Sequence, residues 1–278
     1  MIPPLARQFV AGESAATALE HARRLNEDGV GAILNLLGEH YETRDPADAD
    51  TGTYCRLAGD IARADLRACL SVKPTQLGLE IGEELFRENL ARVVESASER
   101  GVFVWVDMED HTTTDATLDA FEDHARATDG GVGVCVQANL RRTGDDLQRL
   151  AALPGKVRLV KGAYDPPPDV AYQEKATVDD VYEDHLEYMF RHFEDGIAVG
   201  SHDPAMLTLA ADLHTDHGTP YEVQMLMGVR EDAQRDLARR REVWQYVPYG
   251  DRWLSYFYRR ISENLENAQF ATRALLSG

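Results

Sequence analysis

VGVCVQA (132–138) is an almost continuously apolar run, KVRLVKGA (156–163) is a second short run rich in valine, and a segment of helical length separates them. Strands that are apolar on both faces belong to a parallel sheet with both sides covered, because a half-exposed antiparallel strand would alternate apolar and polar residues. The two runs therefore predict a βαβ unit, which places one helix against a parallel pair of strands.

The same kind of run recurs along the whole chain, with helical patterns between the runs. We predict strands at 29–37, 68–73, 102–108, 132–138, 156–163, 196–201, 221–226 and 242–248, and helices that include 13–28, 78–100, 174–194 and 251–276. Eight such repeats predict an α/β fold, a (β/α)8 TIM-like barrel, with the N-terminal helix capping its bottom or side. A doubly wound open sheet is the alternative, but no G-x-G-x-x-G follows the first run and no P-loop occurs. We expect one domain over 1–278.

The composition is strongly acidic and poor in lysine. Among 278 residues, 29 basic side chains face 48 acidic ones, for a net charge of −19. This balance argues against non-specific nucleic-acid binding and against a basic membrane-docking face. The lysines are Lys73, Lys156, Lys161 and Lys175. An acidic surface that keeps arginine and avoids lysine favours a halophilic protein, since salt screens its self-repulsion; an ordinary acidic cytosolic protein is the alternative.

The cysteines and the apolar segments bear on the compartment. Cys55, Cys69 and Cys135 form no CxxC pair, and an odd number leaves one unpaired in any disulfide scheme. This usage is typical of a reducing compartment. No run approaches the roughly 18 apolar residues that a membrane span requires, and no basic segment followed by an apolar one opens the chain. We expect a cytoplasmic protein.

Polar residues stand at the carboxyl ends of the predicted strands, where barrels of this kind carry their chemistry. They are Lys73, Asp107, Gln137, Lys161, Tyr164, Ser201, His202 and Tyr246. Two of the lysines in this lysine-poor chain lie on that rim. The coincidence of these residues at one end of the barrel predicts an active site there.

Each of these residues also has a structural interpretation. Lys73 could simply pair with Asp107 on the neighbouring strand, and Lys161 could be a solvated charge at a strand end. His202 could cap the following helix or satisfy a polar group in the core, and Gln137 could bind loop backbone. Taken singly, these residues are weak evidence for a site.

The final predicted helix places Arg259 and Glu263 on one face at i, i+4, beside Arg260 and one turn after Tyr256. A surface ion pair worth roughly 0–1 kcal/mol is the plain interpretation. Two adjacent guanidinium groups can also bind a carboxylate, and a glutamate one turn on can bind an amine. The set therefore suits a small amino acid as ligand.

Nine motifs together resemble those of the FAD-dependent proline dehydrogenases, in particular the short monofunctional kind. They are NLLGE (35–39), SVKPTQLGL (71–79), VDMED (106–110), VQANLRRT (136–143), RLVKGAY (158–164), SHD (201–203), VQMLMGVR (223–230), YVPYG (246–250) and YFYRRISEN (256–264). The resemblance runs from about residue 34 to 275, and RLVKGAY followed by YxxRRxxEN is its most specific part. It implies a (β/α)8 barrel whose last helix lies over the mouth.

The resemblance also implies roles for single residues. Arg158 would lie beside the flavin N5, and Asp107 would organise the pocket with it as the second catalytic residue. The other residues expected to bind FAD are Met108, Gln137, Lys161, Gly162, Ala163, Ser201 and His202. Those expected to bind the substrate are Lys73, Tyr164, Leu226, Tyr246, Tyr256, Arg259, Arg260 and Glu263. No metal is implied.

The implied reaction is oxidation of L-proline to Δ1-pyrroline-5-carboxylate, with electrons passed from FAD to a quinone-type acceptor, which would require peripheral contact with the inner face of the membrane. A separate pyrroline-5-carboxylate dehydrogenase would consume the product, and no nucleic acid is a partner. Two departures stand out: Asp165 follows the KGAY motif where many relatives carry tryptophan, and Ser201 replaces an expected threonine.

Three other functions compete with this one. A Schiff-base lyase or aldolase would use Lys161 as its nucleophile, which requires a lysine of lowered pKa in a dry pocket. A metal-dependent hydrolase would use Asp107, Glu109 and His202, although no H-x-H or close ligand cluster is present. An amino-acid sensor would keep Arg259 and its neighbours but could lose the face around Arg158.

Overall fold

A computed structural model describes residues 2–3 and 6–257 of the chain. Eight strands close into a parallel barrel in sequence order, with β8 paired to β1. The strands are β1 (Gly31–Leu36), β2 (Ala68–Val72), β3 (Val104–Val106), β4 (Val132–Gln137), β5 (Lys156–Val160), β6 (Ile197–Gly200), β7 (Tyr221–Leu226) and β8 (Glu242–Tyr249). The predicted (β/α)8 barrel is confirmed, and every predicted strand overlaps an observed one.

Helices alternate with the strands and cover the outside of the sheet. They are α1 (Ala15–Glu27), α2 (Arg44–Arg63), α3 (Glu83–Ser98), α4 (Thr114–Ala127), α5 (Thr143–Leu150), α6 (Lys175–His192), α7 (Pro204–His217) and α8 (Glu231–Ala238). The apolar sides of these helices and the outer faces of the strands form one continuous core cluster. Among the described residues, no helix is both long and apolar enough to cross a bilayer.

Helix α1 packs against both β1 and β8 on the outside of the barrel. Ser14 caps its first turn by accepting from the Thr17 backbone N–H, and Ala18, Ala22 and Leu25 are buried beneath it. In a regular barrel the helix that follows β8 would fill this place between β8 and β1. Because α1 already covers the outside of β1 and β8, the chain that leaves β8 does not have to cover them.

The segment after β8 is helical again at 253–257. Its Tyr256 is buried in a small apolar cluster with Ile2, Phe9 and Leu37, so the two ends of the described chain pack together. The remainder of the predicted helix at 251–276, with its expected position over the mouth, lies outside the described residues.

Alternate residues of each strand point into the barrel, and the register stacks them in layers. Cys135 pairs with Arg158, Arg158 with Ala198, and Gly200 with Gln224. A Cβ at Gly133 would lie 2.6 Å from the Trp105 ring, so the missing side chain makes room for the indole. A bulky aromatic and a charged arginine therefore share the barrel interior just below the mouth.

Candidate active site

Arg158 and Asp107 form a buried ion pair at the carboxyl end of the barrel. Arg158 points inward from the middle of β5, and Asp107 follows the last residue of β3. Their residues are 5% and 6% exposed. The Arg158 guanidinium also lies 5.0 Å from the Trp105 ring centroid and 5.8 Å from that of Tyr246. A permanent cation is thereby held between two aromatic rings beneath the mouth.

The carboxylate of Asp107 accepts two further hydrogen bonds. Ser71 Oγ donates to one oxygen at 2.6 Å, and the Tyr246 hydroxyl donates to the other at 2.8 Å. Burial alone would raise the pKa of Asp107, but Arg158 and Lys73 outweigh it and hold the pKa below its usual value. Asp107 is therefore ionised at neutral pH and fixes three neighbours at once.

Lys73 stands beside this pair, just past the end of β2. Its Nζ lies 3.5 Å from the Tyr164 hydroxyl, 3.8 Å from Glu39 and 4.0 Å from Glu109. Burial by itself would lower the pKa of Lys73, but the surrounding groups, Asp107 among them, raise it above its usual value. The structure thus corrects the simple interpretation of Lys73 as the partner of Asp107, because Asp107 pairs directly with Arg158.

Glu109 is the second buried carboxylate at this end of the barrel. It accepts from the backbone N–H of Thr75 at 2.7 Å and from the Thr75 hydroxyl at 2.8 Å. Burial raises the pKa of Glu109, and the ammonium of Lys73 opposes that effect. The surroundings therefore shift the pKa values of Asp107 and Glu109 in opposite directions, although the two carboxylates are only two residues apart.

Gln137 closes the next side of the mouth. Its amide nitrogen donates to the Glu109 carbonyl at 2.9 Å, and its amide oxygen lies 3.5 Å from the Ala163 N–H. Gln137 therefore makes the loop-backbone contact of its structural interpretation, and this contact connects β4 to the segment after β5. Met108 is buried beside Asp107, at 5% exposed.

The chain from Gly162 to Ala163 is exposed at the rim and has left the strand. Strand β5 ends at Val160, earlier than predicted, because Gly162 takes a φ of +124° that other residues avoid. A Cβ at Gly162 would collide with the Asn139 side chain. The Oδ1 of Asn139 is itself buried and accepts no hydrogen bond within the described residues. This corner of the mouth therefore offers an acceptor to a bound molecule.

Lys161 turns outward from the same segment. Its Nζ donates to Asp179 at 2.5 Å and to Asp203 at 2.8 Å. Burial alone would lower the pKa of Lys161, but the two carboxylates outweigh it and raise the pKa. Lys161 is a paired cation, not the solvated strand-end charge of the plain interpretation.

Ser201 and His202 follow β6 at the rim. The Ser201 hydroxyl accepts from the Asp203 N–H at 3.1 Å. His202 Nε2 accepts from the Leu226 N–H at 3.0 Å, so Leu226 and His202 lie side by side. Helix α7 is capped by Asp203, which corrects the alternative in which His202 provides the cap.

Nearly all the predicted site residues that the structure describes lie at this one end of the barrel. Arg259, Arg260 and Glu263 lie outside the described residues. Tyr256, the first residue of that set, is buried against the N-terminal segment.

Four residues that support the site went unpredicted: Ser71, Trp105, Asn139 and Gln224. Ser71 and Asn139 lie inside the motifs quoted for the resemblance, and Trp105 precedes one of them, so their strand positions were visible in the sequence. Their partners were not, because contacts across a barrel depend on the stagger of its strands. Among the described residues, no group of three or more His, Cys, Asp or Glu side chains could hold a metal ion.

The closed barrel has its buried charged residues at one mouth, where enzymes with a (β/α)8 barrel have their active sites. A family model described as proline dehydrogenase matches residues 18–273, and the chain belongs to that family, a family of oxidoreductases. It is 35% identical over 284 residues to the proline dehydrogenase of Deinococcus radiodurans, covering 99% of this chain and 91% of that protein. It is 32% identical over 275 residues to proline dehydrogenase 1 of Bacillus subtilis, covering 98% and 90%.

Solved structures show the same fold. Proline utilization A from Bdellovibrio bacteriovorus superimposes with a TM-score of 0.85 at 24% identity, over 94% of this chain and 32% of that one. The protein of the same name from Corynebacterium freiburgense gives a TM-score of 0.78 at 22% identity, over 97% and 32%. The chain spans about a third of the length of these solved proteins.

Proposed function

We propose that this protein oxidises L-proline to Δ1-pyrroline-5-carboxylate with a bound FAD. The observation that carries the proposal is the buried cluster of Arg158, Asp107 and Tyr246 beneath the mouth, in a chain of the proline dehydrogenase family. A charged pair is buried at several kcal/mol of desolvation cost, so its retention in the barrel interior favours a functional role.

The residues at the mouth fit FAD. The exposed segment of Gly162 and Ala163 has no side chain at Gly162 to block a planar ring, and the orphaned Oδ1 of Asn139 offers a buried acceptor. Gln137, Met108, Ser201 and His202 complete the proposed binding set, with Lys161 next to it. When bound, FAD supplies the acceptor for the hydride that leaves the carbon next to the proline nitrogen.

The chain's own residues would bind and orient the substrate. Lys73 provides a charged ammonium for the proline carboxylate, and the resemblance adds Arg259 and Arg260 to it and Glu263 to the amine. Tyr164, Leu226, Tyr246 and Tyr256 would form the walls. Arg158 would place its fixed positive charge beside the flavin N5, and Asp107 would hold Arg158 and Tyr246 in place. Such preorganised charges need no solvent rearrangement during the reaction.

The alternative chemistries have less support. A Schiff-base lyase requires a lysine of lowered pKa, whereas Asp179 and Asp203 raise the pKa of Lys161. A metal-dependent hydrolase requires a ligand cluster, and Asp107, Glu109 and His202 do not form one. Asp107 is instead committed to Arg158, Ser71 and Tyr246.

Partners and location follow as part of the same proposal. Electrons would pass from the cofactor to a quinone-type acceptor through peripheral contact of a cytoplasmic protein with the membrane, and a separate dehydrogenase would consume the product. We also propose one domain over 1–278, supported by the main core cluster, which extends from α1 to β8.

An absorbance spectrum before and after anaerobic addition of L-proline tests the proposal directly. The protein is purified in high salt, loaded with FAD and freed of excess cofactor. We expect an oxidised flavin spectrum that bleaches with L-proline. L-alanine, which shares the amino and carboxyl groups but lacks the ring, is the matched control and should leave the spectrum unchanged.

Two results would overturn the proposal. A protein that takes up no FAD would exclude flavin chemistry at this mouth. A flavin that proline does not bleach would exclude proline as the substrate. Borohydride trapping of a lysine adduct at Lys161 would then decide for the Schiff-base alternative.

A further inference from the structure

The barrel interior contains a second ion pair, at the opposite end from the mouth. Lys156, the first residue of β5, donates to Glu222 on β7. The Glu222 side chain is 4% exposed, and that of Lys156 is 34% exposed. Both residues line a hollow of about 790 Å³ at the amino ends of the strands, which we call the floor of the barrel. The roles proposed above make no use of this pair.

The pair at the floor is connected to Arg158 through Gln224. The Gln224 amide nitrogen donates to Glu222 Oε1 at 2.6 Å. Arg158 Nη1 in turn donates to the Gln224 amide oxygen at 2.9 Å. Gln224 is 4% exposed and lies two residues beyond Glu222 on the same strand, one layer closer to the mouth. A continuous line of polar contacts therefore runs from the floor to the ion pair beneath the mouth.

The chemistry of the partners decides which way the Gln224 amide points. A carboxylate only accepts hydrogen bonds, so the amide nitrogen must face Glu222. A guanidinium only donates, so the amide oxygen must face Arg158. The opposite orientation would set oxygen against oxygen at Glu222 and N–H against N–H at Arg158. The carboxylate of Glu222 thus fixes the amide, and the amide presents a single acceptor to Arg158.

We propose that Glu222 and Gln224 are positioning residues for Arg158, with Lys156 as the counter-ion that holds Glu222 in place. The inference rests on the proposed function, in which Arg158 faces the cofactor. Asp107 binds one side of the guanidinium and Gln224 binds another, which leaves the planar group little freedom to rotate. Without Gln224, Asp107 would be the one charged partner left among the described residues to orient the guanidinium, which could then rotate between the Trp105 and Tyr246 rings.

Burial raises the pKa of Glu222, and Lys156 opposes that effect. Burying this carboxylate therefore costs free energy, and an uncharged amide would fill the same space at a lower desolvation cost. This supports a directional role for Glu222, since glutamine at the same place would have its own donor as well as its acceptor available to the Gln224 amide.

Two variants break the line of contacts, and a third is the control. Glu222→Gln removes the carboxylate, and Gln224→Leu removes the amide with little change in volume. Glu242→Gln removes a neighbouring carboxylate that also lines the floor hollow and acts on Lys156 and Glu222 through its charge, but accepts its hydrogen bond from Trp244 and takes no part in the contacts to Gln224. The measurements are the midpoint potential of the bound flavin and the steady-state kcat and KM for L-proline.

We expect Glu222→Gln and Gln224→Leu to lower the midpoint potential, because the positive charge near the flavin is less well placed. We expect kcat to fall about tenfold at unchanged KM, within the hundredfold that an ångström of misplacement can cost. Glu242→Gln should match the wild type in both measurements. Wild-type potentials and kcat in the two test variants would overturn the inference.

An exchange of the two groups distinguishes positioning from simple packing. In Glu222→Gln/Gln224→Glu, the new amide at position 222 can donate to the new carboxylate at position 224, which then accepts from Arg158. We expect this double variant to recover most of the kcat that Glu222→Gln loses. A double variant that folds but stays as slow as the single one would contradict the directional argument.

Failure of the proposed function would be recognised separately. It shows in the wild type, as no FAD uptake or no bleaching with proline. In that case, crystal structures of the apo variants decide the inference. A guanidinium of Arg158 displaced in Glu222→Gln and restored in the double variant supports it, and a guanidinium unmoved in both overturns it.

Discussion

The mouth and the floor of the barrel both contain a lysine next to a buried carboxylate, yet they differ in how those groups are held. At the mouth, Lys73 and Glu109 belong to a cluster in which Asp107 alone binds three partners, Arg158, Ser71 and Tyr246. At the floor, Lys156 contacts Glu222 at the edge of a hollow of about 790 Å³.

The hollow at the floor is bordered mainly by turns and by acidic residues near the surface, such as Asp129 and Glu194. An open hollow orients a ligand poorly, whereas charges fixed by several partners orient one well. The mouth, where charged groups constrain one another, is therefore a better place for catalysis than the floor, even though the floor has a hollow of about 790 Å³.

The largest expected effect is that of Arg158→Met. Loss of the cation leaves Asp107 buried without its ion-pair partner, which costs about 3–5 kcal/mol of stability. Loss of a fixed charge at the reacting centre should lower kcat/KM for L-proline by about a hundredfold or more. Denaturant unfolding and steady-state kinetics measure the two effects.

Arg235→Met is the matched control for Arg158→Met. Arg235 contacts Asp28, Glu231 and Asp232, but all of these groups are exposed at the surface. Exposed pairs contribute at most about 1 kcal/mol each, and the kinetics should stay unchanged. If Arg158→Met oxidised proline at the wild-type rate, the buried charge at the mouth would matter no more for catalysis than an exposed charge at the surface.

Most strands were predictable because burial on both faces favours largely apolar sequences over their length. The ends of the helices and strands were harder to predict. Helix α3 begins at Glu83 and not at 78, because Gly78 takes a φ of +100° and the chain turns before the helix starts. The predicted Lys161 lies at the rim, but its partners Asp179 and Asp203 come from α6 and from the residue before α7. Such pairings depend on tertiary packing and leave no local pattern.

The polar line inside the barrel was the least predictable feature. Gln224 lies in the quoted motif VQMLMGVR, yet nothing in the strand pattern showed that it faces Arg158. The stagger between β5 and β7 sets that contact, and a single sequence contains no measure of stagger. Residue types at strand ends are therefore readable, while the contacts between strands require the structure.

A glycine at each end of the barrel gives the next test, of intermediate size. Gly162 at the mouth has a φ of +124°, and Gly155 at the floor has a φ of +108°. Alanine costs about 1–3 kcal/mol in such conformations. We expect Gly162→Ala to weaken FAD binding about tenfold, because the rim segment must distort where the cofactor is proposed to lie.

Gly155→Ala should destabilise the fold without changing FAD affinity. Its Cβ would lie 2.6 Å from the Val132 carbonyl, far from the rim. Fluorescence titration of the apo-proteins with FAD, together with their unfolding curves, separates the two outcomes. Equal losses of FAD affinity in both variants would mean that the rim segment has no special relation to the cofactor.

The smallest expected effect is a pair of opposed pH dependences. Arg158 and Lys73 overcome the effect of burial and hold the pKa of Asp107 below its ordinary 3.8, so its stabilising contribution is present above that pH and is lost in stronger acid. Burial raises the pKa of Glu222 above its ordinary 4.5 against the opposing effect of Lys156, so the folded state loses stability as pH rises through and above that value.

Urea unfolding of Asp107→Asn and Glu222→Gln from about pH 3 to about pH 8 measures both slopes. Asp107→Asn should be less stable to urea than the wild type, and this difference in unfolding free energy should shrink only in acid, because there the wild type loses the charge that the variant lacks. The free energy of unfolding of Glu222→Gln should rise relative to that of the wild type as pH rises, because the variant has no carboxyl group to deprotonate at this position. Parallel curves for the two variants would mean that the carboxylates at the mouth and at the floor have the same surroundings, against the geometry that sets the two ends apart.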